Sequence, residues 1–116
     1  MNILATDMDG TFLDHLGSYD KVRLDKLLDA CEAKNYVFTV ASGRSLLALE
    51  ELFDGFVDRI AIIAENGALV QYKGEVLFES KLEPKDYLEI ADTTSALPTC
   101  EGILLSGRRG AYAPED

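Results

Sequence analysis

Residues 4–14 read "LATDMDGTFLD". A short apolar run meets two aspartates, Asp7 and Asp9, one residue apart. Gly10 and Thr11 follow at once. Two like charges this close at the end of an apolar strand repel each other, so the pattern calls for a cation or a reaction that uses both.

The elements around this stretch alternate. "NILAT", residues 2–6, reads as a buried strand. Ser18 or Asp20 can cap a helix running to about Lys34, with Leu24, Leu27, Leu28 and Cys31 on one apolar face. Asn35 suits a left-handed helix end. "YVFTVA", residues 36–41, is β-branched and aromatic and reads as the second strand. Residues 45–53 form a short helix. "RIAIIA", residues 59–64, is the third strand. This order, with continuous apolar strands, predicts an α/β fold with a Rossmann-like parallel sheet covered on both faces.

The pattern then changes. "ALVQYKGEVLF", residues 68–78, alternates around Lys73-Gly74 and predicts an antiparallel hairpin. Pro84 opens a helix to about Ala96, and two short strands are expected at 102–106 and 110–113. Arg108 and Arg109 top the turn between them. His15 reads as an exposed residue of the segment after the first motif.

Composition narrows the function. The 116 residues suit one small domain or part of a larger protein. The apolar content of 47% is that of a globular chain. Asp plus Glu number 21 against 11 Lys plus Arg, a net charge of -10. Such a surface repels nucleic acid and anionic membranes, so neither is an expected partner. No apolar run approaches the roughly 18 residues of a membrane span, and no signal-like segment precedes the first strand. The cysteines, Cys31 and Cys100, fit no metal or redox spacing. They read as buried thiols in a cytoplasmic protein.

Ligands of open parallel sheets bind at the carboxyl ends of the strands. Asp7, Ser42 and Glu65-Asn66-Gly67 fall at three such ends. These residue types suit phosphoryl transfer. A carboxylate can attack phosphorus and form an aspartyl-phosphate. At ~4 Å and an effective dielectric near 20, each pair of unit charges repels by roughly 4 kcal/mol, so a phosphate facing two carboxylates needs a hard divalent cation such as Mg²⁺. The second carboxylate can give a proton to the leaving oxygen and take one from water. Gly10 and Thr11 serve the turn. "VASGRS", residues 40–45, adds the Ser42 hydroxyl, the close approach that Gly43 permits, and helix N-terminal amides. Asp-x-Asp-Gly also fits a solvated turn. An EF-hand loop is excluded, because its glycine stands sixth and Gly10 is fourth.

At this point a resemblance is specific. "ILATDMDGTFL" resembles the first motif of the haloacid dehalogenase superfamily of phosphatases, "FTVASGRS" its second, and "AENGALV" with its hairpin the Cof-type branch. The tail "LLSGRRGAYA" is similar to the early part of an α/β cap. The resemblance implies a hydrolase core over residues 1–82 and the beginning of an α/β cap domain over 83–116. It implies that Asp7 is the nucleophile and a Mg²⁺ ligand. Asp9 is then the general acid/base, with its carbonyl also on the metal. Thr11, Ser42, Gly43, Arg44 and Asn66 fall on the phosphate side. The substrate implied is a small phosphorylated metabolite such as a sugar phosphate. The family also uses a lysine motif and later acidic metal ligands. Lys73, Lys81 and Lys85 fall in the hairpin or at the start of the cap, and Asp116 is merely terminal. The chain is therefore expected to be the N-terminal portion of a larger enzyme. The alternatives are an inactive remnant and a receiver-like phosphoacceptor or interaction domain, which would carry its aspartate on the third strand.

Overall fold

The structure is a computed structural model that describes residues 1–113. Pro114, Glu115 and Asp116, the last residues of the expected cap segment, lie outside it. The chain divides into two compact units, Met1–Glu79 and Ser80–Asp116.

Among the described residues the first unit holds a sheet in the order β1-β2-β3-β4-β5. Its strands are β1 (Asn2–Asp7), β2 (Tyr36–Ala41), β3 (Ala61–Ala64), β4 (Leu69–Tyr72) and β5 (Glu75–Glu79). The β1, β2 and β3 strands run parallel, with Asp7 level with Ala41 and Ala41 level with Ile63. Strands β4 and β5 return as the expected hairpin. Lys73 and Gly74 both take positive φ, 50° and 83°. That is the turn whose twist matches two antiparallel strands.

Helix α1 (Lys21–Ala33) starts at Asp20, whose carboxylate accepts from the amides of Val22 and Arg23. Asn35, at φ 60°, ends it in the left-handed region. Helix α2 (Leu46–Leu52) is capped by Ser45, which accepts from the Ala48 amide at 3.2 Å. Leu24, Leu28 and Cys31 are buried, while Leu27 lies at the rim of the face, 37% exposed.

One core unites both helices with Phe38 and Val40 of β2, Ile62 and Ala64 of β3, and Leu69 of β4. These strand residues share one face of the sheet, so α1 and α2 lie on the same side. This differs from a sheet covered on both faces. Right-handed crossovers between strands in sequential order put both helices on one side. Strand β1, expected to be buried, is an edge strand instead, and Ile3 is 68% exposed. The third strand is also shorter than expected. Val57–Arg59 forms a single helical turn before it.

That turn carries Arg59, which pairs with three carboxylates of α1: Asp25 at 2.7 Å, Asp29 at 2.8 Å and Glu32 at 2.8 Å. The Arg59 guanidinium holds the Glu32 carboxyl below its ordinary value of 4.5, and its own pKa is pushed up in return. The stability from a depressed carboxyl is complete above its unfolded value and is lost as pH falls through the folded one. Urea unfolding is therefore expected to show a fall in midpoint below about pH 4.5 that Arg59→Gln flattens. An equally steep fall in the variant would show that the cluster contributes nothing. These groups are exposed, so the effect is modest.

The second unit holds α3 (Pro84–Ser95), with Pro84 in its first turn, and a hairpin of β6 (Leu105–Gly107) and β7 (Gly110–Tyr112). Arg108 and Arg109 form its turn, as expected. Strand β6 is displaced from the expected 102–106, because pairing begins only at Leu105. Neither cysteine is in a disulfide; Cys31 is buried, but Cys100 is only half-buried, in the loop after α3.

Candidate active site

The carboxyl end of β1 is held by apolar anchors on either side of the aspartates. Met8 is fully buried and Leu13 nearly so. Between them the chain makes one tight turn, closed by the Leu13 amide donating to the Met8 carbonyl at 3.0 Å. Gly10 takes φ 78°, which only glycine adopts without cost, and so reverses the chain after Asp9. Asp7 accepts from the Met8 amide at 2.8 Å. Asp7, Asp9 and Thr11 are exposed, so the strand end presents polar groups while Met8 turns inward. Phe12 completes the anchorage. Its ring packs 5.3 Å from Tyr19, 5.7 Å from Phe38 and 6.0 Å from Phe53, centroid to centroid.

The ends of β2 and β3 are laced together. The Ser42 amide donates to the Ile63 carbonyl at 2.9 Å, and the Asn66 amide donates to the Ser42 carbonyl at 3.1 Å. The Glu65 amide donates to the Arg44 carbonyl at 3.0 Å. Glu65, Asn66 and Gly67 all have positive φ, 53°, 55° and 99°. Ser42 is 9% exposed, and its Oγ accepts from the Arg44 amide at 3.0 Å. Its own O–H remains a donor.

Gly43 shows why no side chain fits in this loop. A Cβ there would stand 3.0 Å from Asn66 Oδ1 and 3.2 Å from its Nδ2. Gly43→Ala is therefore expected to cost about 1–2 kcal/mol by overpacking. In an Asn66→Gly background, which keeps the positive φ and removes the obstructing amide, that cost should shrink toward zero. Urea unfolding of the two singles and the double checks this. An undiminished cost would mean that Asn66 is not the obstacle.

Side chains join the first loop to the second. Arg44 Nε donates to Asp9 Oδ2 at 3.1 Å and Nη2 to Asp9 Oδ1 at 2.6 Å. Nothing in the sequence announces this pair. Its members lie 35 residues apart, and only the parallel register brings their loops side by side. The Arg44 guanidinium holds the Asp9 carboxyl below the usual range, chiefly through the hydrogen bonds, and Asp9 raises Arg44 in turn. Of the expected residues, Asp9 and Arg44 are thus in direct contact. Ser42, Gly43, Arg44 and Asn66 form one network. Among the described residues the Asp7 carboxylate accepts only from the Met8 amide of its own loop, and Thr11 lies on the exposed part of the turn.

Among the described residues, no group of three or more His, Cys, Asp or Glu side chains could enclose a metal ion. The donors at hand are hard oxygens of the kind that suit Mg²⁺. They are few, because both Asp9 oxygens are engaged by Arg44.

The pattern of the haloacid dehalogenase-like hydrolases matches residues 4–116. The chain belongs to that family. Among its relatives is the 5-amino-6-(5-phospho-D-ribitylamino)uracil phosphatase YbjI of Escherichia coli (strain K12), 30% identical over 112 residues. The match covers 97% of this chain and 41% of that protein. The structure of SMU.1108c from Streptococcus mutans UA159 superposes with a TM-score of 0.90 at 32% identity, over 97% of this chain and 42% of that one. The haloacid dehalogenase subclass IIB sugar phosphatase BT4131 shares the fold, with a TM-score of 0.70 at 21% identity over 97% of this chain and 44% of its own. The chain thus spans about two fifths of the length of these relatives. The likeness to Cof-type phosphatases of the superfamily agrees with the order of the motifs.

Proposed function

We propose that the whole protein is a Mg²⁺-dependent phosphomonoester hydrolase acting through an aspartyl-phosphate on Asp7. The observation that carries this reading is the linkage of three strand ends, with Asp7 and Asp9 on the first, Ser42 and Arg44 on the second and Asn66 on the third. Met1–Glu79 is read as part of the hydrolase core and the second unit as the start of an α/β cap.

In the proposed reaction an Asp7 oxygen bonds to phosphorus and the bond to the leaving alcohol breaks. Asp9 gives that alcohol its proton. Water then attacks the phosphorus, Asp9 takes a proton from it, and the Asp7–phosphate bond breaks to release inorganic phosphate. The Ser42 hydroxyl donates to a phosphate oxygen. The Asp7 carboxylate and the Asp9 carbonyl would hold Mg²⁺, with further ligands from outside the described residues. When bound, the ion offsets the charge between phosphate and carboxylate.

The substrate proposed is a small phosphorylated metabolite carrying a sugar or sugar-alcohol group. The names of the relatives YbjI and BT4131 support that class. A cytoplasmic setting is supported by the unpaired cysteines. No helix among the described residues is long and apolar enough to cross a membrane. A receiver-like domain is disfavoured, since β3 ends in Ala64 and its next residue is Glu65.

The test is phosphate release by the whole protein from p-nitrophenyl phosphate and from a panel of sugar phosphates. Activity is expected with Mg²⁺, to fall to background on chelation, and to be restored poorly by Ca²⁺, whose larger and looser coordination fits in-line transfer badly. Full activity after exhaustive chelation would overturn the metal reading. No turnover of any phosphomonoester would favour an inactive remnant.

A further inference from the structure

We infer that Arg44 is a positioning residue that holds the Asp9 carboxylate in place for its proton transfers, including the one in the hydrolysis of phosphorylated Asp7. The inference rests on the phosphatase reading above and adds a residue to it.

Two observations carry it. First, Arg44 sits at the crossing of the three loops. Its amide donates to Ser42 Oγ, its carbonyl accepts from the Glu65 amide, and its guanidinium grips Asp9. Its backbone is thus tied to the ends of β2 and β3, and its side chain reaches the turn that follows β1. Second, the grip is bidentate. Nε and Nη2 each take one Asp9 oxygen, a geometry that fixes the plane of the carboxylate as well as its place. A lysine, a point charge on a flexible stem, does not reproduce it.

The step balances. A water oxygen bonds to phosphorus, one water proton passes to an Asp9 oxygen, the bond between phosphorus and Asp7 breaks, and Asp7 returns to a carboxylate as inorganic phosphate leaves. Arg44 does not touch the phosphate in this account. It acts through Asp9, and that separates it from a phosphate-binding arginine.

The experiment uses the whole protein, Mg²⁺ and p-nitrophenyl phosphate, whose leaving group departs without a proton. Wild type, Arg44→Gln, Arg44→Lys, Asp9→Asn and the Arg44→Gln/Asp9→Asn double variant are compared. Arg44→Gln is expected to give a burst of p-nitrophenol equal to the enzyme, a hydroxylamine-labile phosphoprotein, and decay of that phosphoprotein about 10- to 100-fold slower than wild type. KM should fall with kcat, because the covalent intermediate accumulates. Arg44→Lys should recover little of the decay rate. In the Asp9→Asn background Arg44→Gln should change the decay rate less than twofold.

A raised KM without a burst would overturn the inference and make Arg44 a substrate ligand. Unchanged decay, or additive effects in the double variant, would overturn it as well. A second measurement does not depend on turnover. Amide hydrogen exchange over residues 8–13 should accelerate in Arg44→Gln while that of β2 stays at the wild-type rate, and equal acceleration of both would reduce Arg44 to a structural role. The underlying reading fails in a different way: wild-type protein that releases neither p-nitrophenol nor phosphate and forms no phosphoprotein refutes the phosphatase assignment itself.

Discussion

Asp7→Asn in the whole protein is expected to lower phosphatase turnover by roughly 10⁴-fold or more, with the fold intact. Asparagine is nearly isosteric with aspartate, and its side-chain oxygen can still accept from the Met8 amide as Asp7 does at 2.8 Å. The turn after β1 is held mainly by the buried Met8 and Leu13 and by the bond between them, and neither depends on the charge of residue 7. The amide, however, is a poor nucleophile and a neutral metal ligand. The loss should therefore fall on kcat, with no phosphoprotein formed from any substrate. Urea unfolding should report stability within about 1 kcal/mol of wild type. Appreciable steady-state hydrolysis by the well-folded variant would remove Asp7 from the nucleophile's role.

Phe53→Ala is the substitution outside the strand ends expected to do most damage. Phe53 has no solvent exposure, and its ring stacks 5.2 Å from Tyr19 and lies 6.0 Å from Phe12. Removing it leaves a cavity where α2, the Phe12 anchor and the Tyr19 segment meet. The cost expected is about 3–5 kcal/mol, a large fraction of the ~5–15 kcal/mol that holds a typical domain together. It should be read as a lower urea midpoint at unchanged slope. The Tyr19 hydroxyl, which donates to the Leu52 carbonyl at 2.7 Å, would lose the ring beside it. The turn bearing Asp9 would then loosen through Phe12, so activity should decline at temperatures where the variant is still folded. Phe53→Leu, which keeps most of the volume, should recover more than half of the lost stability. A loss below about 1 kcal/mol for Phe53→Ala would show that the aromatic cluster collapses onto the space at little cost.

Local chemistry was legible from the residues alone. Strand β2 could be bounded at Tyr36 and Ala41 because β-branched and aromatic residues fill it and Asn35 precedes it with a left-handed turn. Ser18 or Asp20, Pro84 and Lys73-Gly74 marked a helix cap, a helix start and a hairpin turn, since each depends on a residue acting within a few positions of itself; the structure chose Asp20. Asp7 and Asp9 stood out for the same reason: an unusual pairing of charges at a strand end. The family followed from that motif and from the order of the ones behind it.

Tertiary structure decided what depends on distant segments meeting. An apolar run such as "NILAT" announces a strand, but burial depends on which strands and helices flank it, and β1 came out at the edge of the sheet. Arg59 reads in the sequence as the first residue of the third strand, and the structure places it in the turn before that strand. It pairs with three carboxylates only because α1 passes over the turn before β3. The contact between Asp9 and Arg44 belongs to the same class. Parallel pairing sets Asp7 level with Ala41, and the two loops therefore leave the sheet side by side. Residue type and spacing reach only a few positions along the chain. Register acts across the sheet, so the sequence by itself specified which groups carry the chemistry, and the packed strands decided which of them touch.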